Sequence, residues 1–489
     1  MNKIYLYVIA LLLVISSCGE FLEEESQNLS YVHTTQDLDE LLIGNGYLQK
    51  NTTGDPYRFV WLDMMDDDVT HFLMRAPTDY STVIFNFMRY FYRWDSYPFN
   101  DDQPNLWAGA MGWSKLYSCI GMANVILGEI ERFKDEKEYS RIKGEAFFLR
   151  AFYYFYLVNI WGHPYNPSSA SSDLGVPIKL TDYIEDKGYS RNSVEECYQQ
   201  IVKDAKEAIV YLEGVVQPST RRANQNAARA LLAKTYLYMN QYELALEQCN
   251  AILEKPGDLV LYDLNAMTVS AFYTIQRKQI SSECVFTNSY GPTLFQTTAE
   301  SIAVSSDLLN CYDAVNDLRF NSGKDSHFFR YYSGSYFGWV KSGNNEVHSI
   351  SLSFPEVYLN KAEALAMLDR PDEAIETLQE LRVKRMLDAG TINLTGEDLV
   401  KFIREERRRE LCFMGQRWFD LKRYAVHPKY PKKTRIEHPY YTWTGSSVML
   451  EKTYVLEEYP GDGGWLMPFP SSALISNEGA LKNNMRPER

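Results

Sequence analysis

The sequence predicts a fold dominated by α-helices: antiparallel helix pairs wound into a right-handed superhelix that carries irregular, loop-rich insertions. Three observations lead there. Apolar residues recur at three- and four-residue intervals, the spacing that gathers them on one helix face. Two distant stretches share one spacing of small residues. Long tracts, one of them rich in Ser, Gly, Asn and Tyr, break the helical pattern.

In chain order, Lys3 supplies a small positive region, Ile4 to Ile15 is an almost unbroken apolar run, and Ser16-Ser17-Cys18 closes it. The run is short for a bilayer span, so residues 1–17 read as a secretory signal. A cysteine directly after small residues resembles a bacterial lipobox and predicts lipidation at Cys18. Each acyl methylene buried in a bilayer contributes about 0.8 kcal/mol, so several chains on one cysteine make a stable tether. Residues 18–489 then read as a single domain. Trp113, Leu116, Tyr117, Ile120, Ala123 and Leu127 share one helix face, and Ala146 to Trp161 is apolar nearly all round, as a helix buried on both sides must be. Gly162 and Pro164 end it. Ser193 and Glu196 have capping-box spacing and open a helix that runs to about Leu212. Ala233, Tyr236, Tyr242, Ala245 and Ile252, with Pro256 beyond, follow the tetratricopeptide spacing. Ala362, Leu365, Ala374, Leu378 and Leu381 repeat it, with the same twelve-residue gap between the key alanines. Helix pairs are therefore expected at about 107–161, 193–254 and 354–387, and loop-rich insertions at about 31–105, 263–353 and 427–470. Such insertions are where binding residues concentrate.

Composition excludes some functions. A formal net charge of -14 repels phosphate backbones, so nucleic acid is not an expected partner. The seven histidines form no HExxH pair, and neither a GxSxG elbow nor a phosphate-cradling glycine loop occurs. No catalytic residue is assigned, and no cofactor is implied. Beyond Cys18, the six cysteines make no CxxC pair, and their wide spacing favours buried thiols over the disulfides an exported chain would permit.

Several segments together resemble the SusD/RagB family. They are Cys18-Gly19-Glu20-Phe21-Leu22-Glu23 after the lipobox; the acidic patch Asp63 to Asp68; Leu149 to Phe155 with Trp161-Gly162; Arg404 to Arg423; and the tail Met467-Pro468-Phe469-Pro470 with Asn477, Leu481 and Asn484. Met414 stands where the family usually has glutamate, and Glu478 replaces a common proline. The resemblance implies a tetratricopeptide-like, lipid-anchored protein of the outer membrane, facing the cell surface. It also implies capture of glycan without catalysis, and a SusC-like TonB-dependent transporter as partner.

Candidate site residues follow from the insertions. Flat rings suit the C–H face of a sugar while neighbouring polar groups fix its hydroxyls. Trp339, Tyr336, Tyr332, Tyr331 and Tyr290 lie in the second irregular tract, and Arg75, Tyr80 and Trp94 in the first. Asp66, Asp67 and Asp68 offer hard oxygens of the kind calcium takes, although without the spacing of an EF-hand. The charged run Arg404 to Glu410 is expected to be structural, with Glu405–Arg409 and Arg407–Glu410 as helix-neighbour pairs, and Arg417 and Asp420 extending the lattice. Two other readings stay open. One is an adaptor that binds protein segments in its superhelical groove; the other is a surface glycoside hydrolase, which needs two carboxyls about 5–10 Å apart.

Overall fold

The computed structural model describes residues 32–48, 59–72, 88–99, 110–277, 282–288, 302–321, 326–332, 338–341 and 350–489. Of 110–111, 274–277, 332 and 338–341 it describes the backbone alone. Thr35–Leu41 (α1) opens the described fold. Ala110–Glu129 (α2), Tyr139–Trp161 (α3), Val194–Tyr211 (α4), Gln225–Tyr238 (α5) and Tyr242–Glu254 (α6) then pack each against the next.

From Phe148 to Trp161 every residue of α3 is buried, as its all-round apolarity requires, because α2 and α4 flank it and Phe286 closes a third side. One charge sits inside this packing. Arg150 forks onto Asp204 of α4 at 2.7 and 2.8 Å and donates to Asn124 of α2 at 2.9 Å, so one guanidinium ties three helices. The carbonyls that end α3 have no intrahelical partner and carry the negative end of the helix dipole. Lys422 donates to Asn159 O and Gly162 O at 2.8 and 3.0 Å, and Arg191 and Asn484 donate to Trp161 O. Burial brings the Lys422 ammonium down to about 7, with Arg486 and Arg191 pushing the same way.

The capping box at α4 forms as its spacing predicts, with Ser193 accepting from the Glu196 amide and Glu196 accepting from the Ser193 amide. Both repeat units form as well. Phe354–Met367 (α9) and Pro371–Arg382 (α10) make the second pair, and Ala233, Ala245, Ala362 and Ala374 are fully buried where paired helices meet. The repeat extends into the turns. Asn240 and Asp369 stand seven residues after the first alanine of each unit, and both adopt positive φ, 59° and 57°. Asn and Asp tolerate that left-handed region better than most residues. Across about a hundred residues of intervening chain, α9 packs directly on α6 and stacks the second unit on the first.

Between them lie Val269–Arg277 (α7) and Ser306–Leu309 (α8); after them come Gly396–Leu411 (α11), Arg417–Ala425 (α12) and Ser471–Ser476 (α13). Strand pairs occupy the insertions: Val69–His71 (β1) with Ile302–Val304 (β3), Cys284–Thr287 (β2) with Ser351–Ser353 (β6), Phe329–Tyr332 (β4) with Gly338–Lys341 (β5), and Ile436–Trp443 (β7) with Val448–Leu456 (β8). All four pairs are antiparallel. Pairing of β2 with β6 ties the last residues of the second insertion back to its interior at 284–287. Among the described cysteines no disulfide forms; five are buried and Cys311 is half-buried. Among the described residues no helix is long and apolar enough to cross a membrane.

The charged run is structural, but its partners differ from the expected ones. Glu405 is exposed, while Arg404 and Glu406 to Glu410 are buried. Arg407 bonds Glu356, Asp420 and Asn360; Glu410 takes Arg319 and Arg385; Arg409 turns back to Glu406. Arg417 pairs with Asp67 instead of Asp420, and Asp420 pairs with Arg407 and Arg423. Helix-neighbour pairs persist in part, as Arg409–Glu406 and Arg423–Asp420 show, but they are not the expected ones. Here α11 is packed between other elements, so its guanidiniums reach across them.

Candidate binding face

The acidic patch is the foundation of this face. Asp63 accepts from the Gly415 amide at 2.9 Å, Asp67 takes both prongs of Arg417 at 2.7 Å, and Asp68 takes Arg408 at 2.7 Å. Burial works to raise Asp67, yet Arg417 and Arg408 outweigh it and hold that carboxyl well below the usual range. Asp66 goes the other way: burial, then the charges of Asp68, Asp63 and Asp67, push it well above. One oxygen from each of Asp66, Asp67 and Asp68 lies within 4.8 Å of the others. Calcium, for which the acidic run is only a weak candidate, suits them poorly, because two guanidiniums already occupy the set and would repel a divalent ion. These aspartates anchor the first insertion to α11 and α12.

From that anchor β1 runs out to pair with β3, with Val69 opposite Val304; β5 lies beside β3, and β7 beside β1. The serine that opens α8 reinforces the joint: Ser305 donates its amide to Asp68 O at 2.7 Å and its hydroxyl to Asp67 O at 2.8 Å. Strands from all three insertions thus share one face of the helical scaffold.

Its rings divide into packing and platform. Trp94 is buried, adopts a positive φ of 52°, and donates its indole N–H to Met65 O at 2.9 Å. A ligand cannot reach it, which removes it from the candidate contacts; of the candidate rings it is the one whose Tyr92-Arg93-Trp94-Asp95 setting points to burial. His71 is buried, accepts the Tyr441 amide on Nδ1 at 2.9 Å, and stacks on Tyr440 at 4.9 Å; burial pulls it down to about 3. Arg93 lies over the rings of Tyr90, Tyr440 and Tyr454 at 5.2–5.7 Å. Tyr331 is 45% exposed and stands opposite Trp339 across the β4–β5 ladder, and Tyr332 stands opposite Gly338. Arg75, Tyr80, Tyr290 and Tyr336, like Cys18, lie outside the described residues.

The sequence reading passed over the half-exposed Tyr90, Tyr441 and Trp443. A signal was present in Ile436 to Trp443: an aromatic and β-branched run followed by Thr-Gly-Ser-Ser is a hairpin pattern. A cleft of about 480 Å³ lies elsewhere, between His163, Asp173, His427 and Tyr459. There the polar groups bond inward, His163 with Tyr459 at 2.7 Å and Ser169 with Asp173 at 2.6 Å.

Stacked helix pairs with a loop-built aromatic face, and close carboxylates tied up by arginine, define a helical-scaffold protein whose insertions build one aromatic face. A family model described as "Starch-binding associating with outer membrane" matches residues 20–237, and a second, described as "SusD family", matches residues 300–486. This chain belongs to the SusD/RagB family. A SusD-like protein of Formosa agariphila, P2, is 24% identical over 76% of this chain and 79% of its own length. Another from that organism, P38, is 25% identical over 64% and 71%. Among solved structures, a SusD superfamily protein of Bacteroides thetaiotaomicron superposes with a TM-score of 0.68 at 22% identity, covering 93% of this chain and all of the other. A putative sugar binding protein of Bacteroides vulgatus superposes at 0.70 with 21% identity, covering 93% and 99%.

Proposed function

We propose that this protein captures glycan at the cell surface and passes it, chemically unchanged, to a SusC-like TonB-dependent transporter in the outer membrane. The observation that carries the reading is the convergence of strands from three separate insertions on one face, with half-exposed rings at Tyr331, Tyr441 and Trp443. The matched family descriptions and the sugar-binding name of one structural neighbour support glycan as the ligand class. The contacts are Trp339, Tyr336, Tyr332, Tyr331, Tyr290, Arg75 and Tyr80, joined now by Tyr441 and Trp443. Lipid on Cys18 supplies the tether.

The rival readings fare worse. An adaptor needs an open groove, whereas α11 packs on α9 and fills the interior with paired arginines. A hydrolase needs two unencumbered carboxyls in a cleft, whereas Asp67 with Asp68, and Glu406 with Glu410, are tied to guanidiniums. A glycan array followed by calorimetry on the selected oligosaccharide tests the reading: binding without release of shorter products is expected. Hydrolysis, or binding of peptides and of no glycan, overturns it. Mild-detergent purification should bring the barrel along, and Cys18→Ala should abolish fatty-acid labelling.

A further inference from the structure

His438, on β7, is fully enclosed where the third insertion crosses the first. Its ring is sandwiched between Tyr92 at 4.1 Å and 9° and Trp94 at 4.3 Å and 18°. Nδ1 meets the carbonyl oxygen of Tyr92 at 2.6 Å, and Nε2 meets the carbonyl oxygen of Asp66 at 2.9 Å. Carbonyl oxygens only accept. A neutral imidazole has one N–H, so one of these contacts would set a lone pair against an acceptor inside the protein. Only the imidazolium donates at both nitrogens.

The surroundings bear on that charge from each side. Burial opposes it and draws the ring down to about 4 even with the carbonyl bonds to Tyr92 and Asp66, and then the charge of Asp67, working the other way; it is the pair of acceptors facing both nitrogens that calls for the charge. Beyond the Asp66 carbonyl, the carboxyls of Asp63, Asp66, Asp67 and Asp68 crowd together, and the guanidiniums bonded to them are Arg408 and Arg417. Lys432 stands near Arg417 and Asp67. On the side of Trp94, Arg489 lies 5.5 Å from the ring centre and is paired with Asp462. Arg93, next to Tyr92, is neutralised by Asp95. Two aromatic faces in contact with a desolvated cation favour it further.

We propose that His438 is held as an imidazolium and acts as a pH-operated clamp, fastening the β7–β8 hairpin to the first insertion. It governs how the face assembled from those insertions is presented, whatever ligand that face takes. Held charged by its two acceptors, the ring contributes fully below the unfolded value of about 6.5, and that contribution is lost as it deprotonates at higher pH. Loss of one proton would turn one of the two carbonyl contacts repulsive and loosen the joint.

The wild-type protein, labelled with ¹⁵N-histidine, tests the proposal by long-range proton–nitrogen correlation at about pH 7.5, a unit above the ordinary histidine value. Two protonated, closely similar ring nitrogens are expected for one residue, assigned to His438 by their disappearance in His438→Gln. Should that variant not fold, His327→Gln completes the assignment, because His327 also faces two carbonyls, Leu318 O and Met267 O, at 2.9 Å. Any signal of its own is thereby removed. A single-tautomer pattern for His438 at that pH, one nitrogen protonated and one bare, overturns the proposal. In melting curves, wild type should lose stability on alkaline titration and His438→Gln should lose this dependence. Identical alkaline profiles would likewise refute the clamp.

Discussion

Replacing Tyr331 and Trp94 separately with Ala discriminates a binding ring from a core ring. Trp94 is fully buried, stacks on His438 and bonds Met65 O. Truncating a buried aromatic to Ala costs about 3–5 kcal/mol. Tyr331 is 45% exposed, so about half of that loss, ~1.5–2.5 kcal/mol, is expected for it. Unfolding entropy of about 2.1 cal/mol/K per residue gives roughly 1 kcal/mol/K for a chain of 489 residues. Trp94→Ala should therefore lower the melting temperature by about 3–5 °C and Tyr331→Ala by about 1.5–2.5 °C. Affinity should invert the order. Stacking on a nucleobase is worth about 1–3 kcal/mol, and a sugar face at the lower end of that range gives about a tenfold loss for Tyr331→Ala. Calorimetric titration with the array-selected oligosaccharide and a melting curve on each variant suffice. Unchanged affinity in Tyr331→Ala with a 3–5 °C fall in its melting temperature would refute the reasoning, because Tyr331 would then be core and the ligand held elsewhere.

Two further outcomes follow from buried charge. Asp204→Asn strips the carboxylate from Arg150 inside the α2–α3–α4 packing and should cost about 3–5 kcal/mol, whereas Arg150→Met with Asp204→Leu should be far milder; a double-mutant cycle by denaturant titration checks the contrast. Acid should destabilise the fold through His71 and His427, which burial lowers to about 3 and about 4. His427 Nδ1 accepts the amides of Lys429 and Tyr430, so protonation breaks bonds already made. Both residues are neutral when folded and protonated when unfolded between about pH 6.5 and about 4, so their stabilisation is complete above 6.5 and lost as pH falls. Two protons make the slope up to about 2.7 kcal/mol per pH unit near pH 5, measurable as proton uptake on unfolding.

Features written within a few turns of chain were legible in the sequence. The all-round apolarity of 146–161, the Ser193/Glu196 box and the twelve-residue alanine gap each follow from contacts three to twelve residues apart, and backbone geometry alone sets their outcome. The alanine spacing could even announce a stacked second unit, because a helix pair with an apolar face must cover it. The partners of the charged run were a different matter. Arg408 meets Asp68 across 340 positions and Arg417 meets Asp67 across 350, and no local pattern distinguishes these pairs from the helix-neighbour pairs that solvent would have favoured. Trp94 and His438 likewise acquire their roles only when the first and third insertions cross. The shared face is a consequence of tertiary structure too, since strands as short as β1 and β3 carry too little periodicity to announce that they will pair. Helices close their backbone hydrogen bonds within themselves, so sequence alone determines them. Short strands and buried charges depend on partners supplied from far along the chain, and only the folded molecule decides which ones they meet.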